Sequence, residues 1–209
     1  MKIIQPTFII ESPINGNEIL KHIEKAGRTA YKSEDKITED SSSKFIEMIM
    51  NREHLSVIEH SFITVRVICD RGVSHEIVRH RLASYTQEST RYCNYTKGKF
   101  GNEITVIKPC FWNENSEEYK VWSETINYIE NSYNKLISLG ASPQKARSIL
   151  PNSLKTEIVI TMNLREWYHF FKLRTAKTAH PQMREIAIPL LMEFQKKIPV
   201  IFDKIIIND

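Results

Sequence analysis

The chain has 209 residues, 41% of them hydrophobic, and its 29 Lys and Arg against 25 Asp and Glu give a formal charge of +4. That size and apolar content suit a single folded domain over residues 1–209 and exclude a disordered polypeptide. No apolar run approaches a membrane span or a secretory leader, and three scattered cysteines (Cys69, Cys93, Cys110) make no disulfide or zinc framework, so a soluble cytoplasmic protein is expected.

In chain order, residues 2–10 read as a strand, and residues 17–33 carry Ile19, Leu20, Ile23 and Ala26 at helical spacing. A second helix is predicted over 41–51, a β-branched strand over 62–68, a short helix over 70–82 and a strand over 85–95. A strand at 104–107 precedes a long helix over 115–139, stopped by Gly140, and Ser142-Pro143 starts another. Residues 154–162 read as a strand. Asn163 then caps a helix, with Glu166 placed as in a capping box, and the last long helix is predicted over 181–198. The mixture predicts an α+β fold, a small mixed or antiparallel sheet flanked by long helices.

Charge is unevenly distributed. No lysine lies between Lys44 and Lys97, yet that stretch holds six of the eleven arginines. Arginine without lysine suits sites that grip phosphate or carboxylate with a planar fork; structural ion pairs are the plainer alternative. Metal patterns fail: His75 and His80 are five apart, roughly 140° around a helix, and His54, Glu59 and His60 lack a partner cluster. Gly98-Lys99-Phe100-Gly101 fits a hairpin better than an RNA clamp, and six glycines supply no phosphate loop. A nucleotide here must be held by side chains.

Arg79-His80-Arg81 is followed by Ser89 and Arg91-Tyr92. The predicted helix and strand bring two guanidinium forks, an imidazole and a hydroxyl together. Burying them without anions costs several kcal/mol per ion in order of magnitude, so a phosphate-bearing ligand is the economical partner. Pairing with Glu76 and Glu88 is the alternative.

This pattern, Arg-His-Arg with Ser after seven residues, resembles the flavin-dependent thymidylate synthases. The likeness extends over Arg79–Tyr85 and Ser89–Tyr92, His54 to Glu59-His60, Ala146-Arg147 to Leu150-Pro151, Asn163-Leu164-Arg165 and Leu173-Arg174. It implies methylation of dUMP to dTMP, with methylenetetrahydrofolate as carbon donor and NADPH reducing FAD, in a homotetramer with shared active sites. FAD would be held by Ser56, Arg79, His80, Arg81, Gln87, Asn163, Leu164, Arg165 and His169. The resemblance places dUMP among Glu76, Ile77, Val78, Arg79, Gln87, Glu88, Ser89, Thr90, Arg91 and Arg147. Arg174 would be the catalytic group beside the uracil. The chain departs from the family at Glu76, Thr86-Gln87 and His169, and its 175–182 stretch runs about two residues long.

Arg165 and His169 share a helix face while Arg174 lies roughly 180° around from Arg165, which favours two sites at a protomer interface. Cys93, expected to alternate with Arg91 on a strand, is the one rival nucleophile; the expected reaction needs none. A small nucleic-acid-binding protein using the arginines with Tyr85, Tyr92 and Tyr95 is the competing class, and its binding would fall steeply with salt. The expectation is no metal, no nucleic acid and no membrane.

Overall fold

Alternation decides the two longest strands. Ile63, Val65, Val67 and Cys69 are buried on β3 (Phe62–Asp70), and Thr156, Ile158, Ile160 and Met162 on β6 (Lys155–Asn163), while the residues between them are more exposed. The computed structural model describes residues 1–95 and 103–207, so the Gly98–Gly101 hairpin lies outside the described residues. A four-stranded sheet runs in the order β2 (Thr7–Ile10), β3, β6, β4 (Ala83–Gln87). The Leu164 N–H donates to Ser61 O at 3.0 Å and the Arg71 N–H to Asn152 O at 2.9 Å, so β3 and β6 run antiparallel. The α+β expectation of a small sheet with long helices holds.

The residues group into two compact units, 1–7 with 67–79 and 86–158, and 8–66 with 80–85 and 159–209. In the first, β1 (Lys2–Ile4) pairs in parallel with β5 (Thr105–Ile107), Lys2 opposite Thr105. Asp70 caps α3 (Arg71–Ile77) through the Val73 N–H at 2.7 Å. Ser116 caps α4 (Glu117–Ser138), and Gly140, at φ 91°, takes the left-handed conformation just beyond its end. Ser142-Pro143 begins only one turn, α5 (Pro143–Ala146). Val106, Ile126, Tyr133 and Leu154 form the centre of this unit's core.

The second unit holds α1 (Gly16–Arg28), α2 (Ser41–Asn51), α6 (Leu164–Arg174), α7 (Pro181–Lys197) and α8 (Pro199–Phe202). Its centre is aromatic: Trp167, Phe171, Phe194 and Phe202 are fully buried, with ring centroids 5.0–5.8 Å apart in the contacting pairs.

Four sequence expectations are corrected. The 2–10 strand is two strands, because Pro6 has no N–H for a ladder. The 17–33 helix ends at Arg28 and tightens into a 3₁₀ turn, closed by Lys32 at φ 47°. The 70–82 helix ends at Ile77, so Arg79, His80 and Arg81 follow it. The 85–95 strand ends at Gln87: the Ser89 hydroxyl accepts the Arg91 N–H at 3.3 Å, and Ser89 O accepts those of Tyr92 and Cys93 at 3.2 and 3.0 Å, folding the chain into a turn. Cys93 therefore does not alternate with Arg91.

Candidate functional site

The expected site residues fall into two groups, one in each unit. In the first unit the Gln87 amide donates to Ser74 Oγ at 2.9 Å and Thr156 Oγ1 at 3.2 Å, which fixes its orientation. Glu88 is a brace. Its carboxylate accepts from Lys155 Nζ at 2.9 Å and the Tyr95 hydroxyl at 3.4 Å, and its N–H donates to Glu157 O at 2.8 Å. Lys155 also reaches Glu157 at 2.5 Å. Burial disfavours its charge, but the two carboxylates outweigh that and hold its pKa above the ordinary lysine range.

Two guanidiniums of this unit have neutral partners. Arg91 Nε donates to Gln144 Oε1 at 3.2 Å and its guanidinium lies 5.4 Å from the Tyr92 ring centre. Arg147 Nη1 donates to Thr90 Oγ1 at 3.4 Å. Arg79, Arg91 and Arg147 are exposed, and none forms an ion pair among the described residues. The alternative in which Glu76 and Glu88 neutralise the arginines is not what the described residues show: no ion pair joins them, and the cation on Glu88 is Lys155. Glu76 is half-buried, Val78 exposed, and Ile77 buried in the core, so Ile77 offers a ligand only its backbone.

The second unit's group centres on His80, which is buried although the arginines on either side of it are exposed. His80 Nδ1 lies 3.0 Å from Glu166 Oε1, and Arg174 Nε donates to His80 Nε2 at 3.1 Å. A guanidinium has no acceptor, so Nε2 presents its lone pair and the proton sits on Nδ1, toward Glu166. The Tyr85 hydroxyl donates to the His80 carbonyl at 2.5 Å, and the rings of Phe170 and His169 pack at 5.0 and 5.6 Å. Arg174 thus reaches the same imidazole as His169. The expected separation of His169 from Arg174 on opposed faces of this helix is therefore corrected, since both side chains meet His80, while Arg165 pairs with Glu59 at 2.6 Å.

Asn163 does cap α6, accepting the Glu166 N–H at 2.8 Å. The Glu166 carboxylate bonds His80 instead of folding back, and sequence reasoning missed that role. Leu164 is buried, whereas Ser56, Arg81 and His169 are exposed. Ligand atoms of His80, Glu166 and His169 lie within 4.8 Å of one another. Glu166 and Arg174 engage both ring nitrogens of His80, so this is an orienting network for a guanidinium. Cys69 is buried with its thiol pKa pushed up by burial, and Cys110 is exposed.

Burial pushes the His80 pKa below the ordinary 6.5; Arg174 and His169 push the same way, against the pull of Glu166. Below 6.5 the unfolded imidazole takes up a proton that the folded one refuses. The contribution to stability is complete above 6.5 and drains as the pH falls toward the folded-state pKa. Melting temperatures of wild type and His80→Gln between pH 7.5 and 5 should show a shallower fall in the variant; equal slopes would remove His80 from the acid sensitivity.

The first group presents exposed arginines and the second sets a guanidinium on a buried imidazole, and with six glycines in the chain neither relies on a glycine-rich loop. Residues 14–200 match the family described as thymidylate synthase complementing protein, and the chain belongs to that family. It is 36% identical to the flavin-dependent thymidylate synthase of Pyrococcus furiosus, over 82% of this chain and 70% of that protein. The corresponding Pyrococcus abyssi protein is 35% identical over 78% of this chain and 66% of its own length. The chain therefore spans about two thirds of these relatives. A UMP/dUMP methylase from Streptomyces cacaoi, solved with 5-Br dUMP, shares the fold at TM-score 0.77 and 23% identity, covering 97% of this chain and 96% of that one. Among the described residues no helix is long and apolar enough to cross a membrane.

Proposed function

We propose that the chain is a flavin-dependent thymidylate synthase, methylating dUMP at C5 to dTMP with carbon from methylenetetrahydrofolate and reducing equivalents from NADPH through FAD. The observation that carries the reading is the set of exposed guanidiniums, Arg79, Arg81, Arg91 and Arg147, with no ion-pair partner among the described residues of a member of this family. FAD brings a pyrophosphate and dUMP a phosphate, and a chain with six glycines and no phosphate loop must meet them with side chains. The donor set fits.

In this reading Arg79 and Arg81 hold the FAD pyrophosphate, with Ser56, Gln87, Asn163, Leu164, Arg165 and His169 around the cofactor. The His80 imidazole, engaged on both nitrogens, acts on Arg174 and leaves any cofactor contact to its backbone. Arg91, Arg147, Ser89 and Thr90 take the dUMP phosphate, while Glu76–Arg79 and Gln87 border the nucleoside. FAD, when bound, supplies the reducing equivalents for the transfer. Arg174 beside the uracil favours the N3-deprotonated form and raises electron density at C5, so no cysteine adds to C6. Residues 1–209 serve as one catalytic domain of a cytoplasmic homotetramer with shared sites, free of nucleic-acid and membrane partners.

The test is the flavin. The purified protein should carry FAD or take it up stoichiometrically, and Arg79→Ala or Arg81→Ala should weaken binding by about 10- to 150-fold, one charge-assisted contact of about 1.5–3 kcal/mol. Unaltered FAD affinity in both variants would detach the flavin from this motif, and binding of nucleic acid with steep salt dependence would favour the competing class.

A further inference from the structure

We infer that Glu166 is a positioning residue of the reaction, setting the aim of the Arg174 guanidinium through the tautomer of His80. The inference rests on the proposed place of Arg174 beside the uracil. Glu166 Oε1, the His80 ring and Arg174 Nε form one line of two hydrogen bonds, 3.0 and 3.1 Å. The guanidinium can only donate, so the line is consistent only when Nε2 of His80 accepts and Nδ1 carries the proton. Glu166 selects that form by accepting the Nδ1 proton. Without the carboxylate, the Nε2–H tautomer becomes available and points a second donor at Arg174 Nε, which pushes the guanidinium away.

The position of Glu166 makes the assignment more than a packing detail. It is the third residue of α6, where a glutamate ordinarily folds back onto the capping backbone. Here the Asn163 cap holds the Glu166 N–H, and the carboxylate crosses instead to residue 80. His80 is also held by the Tyr85 hydroxyl on its carbonyl and by contact with the Phe170 ring. A fixed imidazole between a fixed carboxylate and a long, flexible arginine transfers orientation to that arginine, where an error of an ångström is costly to turnover.

The experiment uses the full chain labelled with 15N-histidine, the His80 signals being identified by their loss in His80→Gln. The wild type should show a protonated Nδ1 and an unprotonated Nε2 at pH 7. Glu166→Leu should give mixed tautomers and lower kcat for dTMP formation about tenfold, with KM for dUMP within about threefold. Glu166→Gln, which keeps an acceptor oxygen in place, should recover kcat to within about threefold of wild type. A wild-type His80 carrying its proton on Nε2 would overturn the inference, even if Glu166→Leu fails to fold. So would a Glu166→Leu protein with mixed tautomers and unchanged kcat. A wild type that shows the Nδ1–H tautomer but forms no dTMP would overturn the proposed function while leaving the orienting of Arg174 intact.

Discussion

Arg174→Ala is expected to lower kcat for dUMP methylation by about 10²- to 10³-fold, the usual cost of removing one group that stabilises charge developing in a transition state. FAD affinity should stay within about threefold of wild type, because in the proposed arrangement the flavin phosphates are held by Arg79 and Arg81. Arg174→Lys separates charge from aim. Lysine keeps the cation but has no Nε–H in the place that now donates to His80 Nε2 at 3.1 Å, so it should recover only part of the loss. Turnover measured under saturating dUMP with each variant checks this. An Arg174→Ala enzyme within twofold of wild type would take the uracil-side role away from this residue.

The second large effect is on stability. Trp167 is fully buried, its Nε1–H donates to the Ile63 carbonyl at 3.0 Å, and its ring meets Phe170, Phe171 and Phe194 at 5.3–5.7 Å. Trp167→Ala should cost about 3–5 kcal/mol, since the cavity adds to the lost transfer energy. It also strands the Ile63 carbonyl on β3. For a chain of this length each kcal/mol corresponds to roughly 2–4 °C, so a fall of roughly 10 °C in Tm is expected. Trp167→Phe, which keeps most of the ring area, should lose less than half as much. A drop below about 2 °C for the alanine variant would show that this aromatic cluster is not where the second unit holds its stability.

Elements whose signal is local were legible in the sequence. Residues 41–51 form a helix as their spacing predicts, and β3 and β6 follow their alternation within two residues. The breaks were harder to read, because they arise from competition between partners. Ser89 looks compatible with a strand until its hydroxyl and carbonyl bind the residues that follow. The arginine motif drew attention to residues 79–81, and the structure separates what the motif joined: exposed cations on either side of a buried, neutral imidazole. Nothing local announces that His80 meets residues 166 and 174, which lie 86 and 94 positions away in the chain. Glu166 was visible only as a capping residue, since its spacing from Asn163 satisfies that pattern whichever way the carboxylate turns. Lys155 carried no signal at all, because its role depends on the register that sets Glu88 beside it.

The decisive measurement follows nucleotide products when the FAD-loaded protein meets dUMP, methylenetetrahydrofolate and NADPH under anaerobic conditions. A flavin-dependent thymidylate synthase should form dTMP, one per methylenetetrahydrofolate consumed, with formation stopping when any of the three is omitted and persisting in Cys93→Ala. Protein that binds both FAD and dUMP yet leaves the dUMP unmethylated under these conditions would contradict the proposed function.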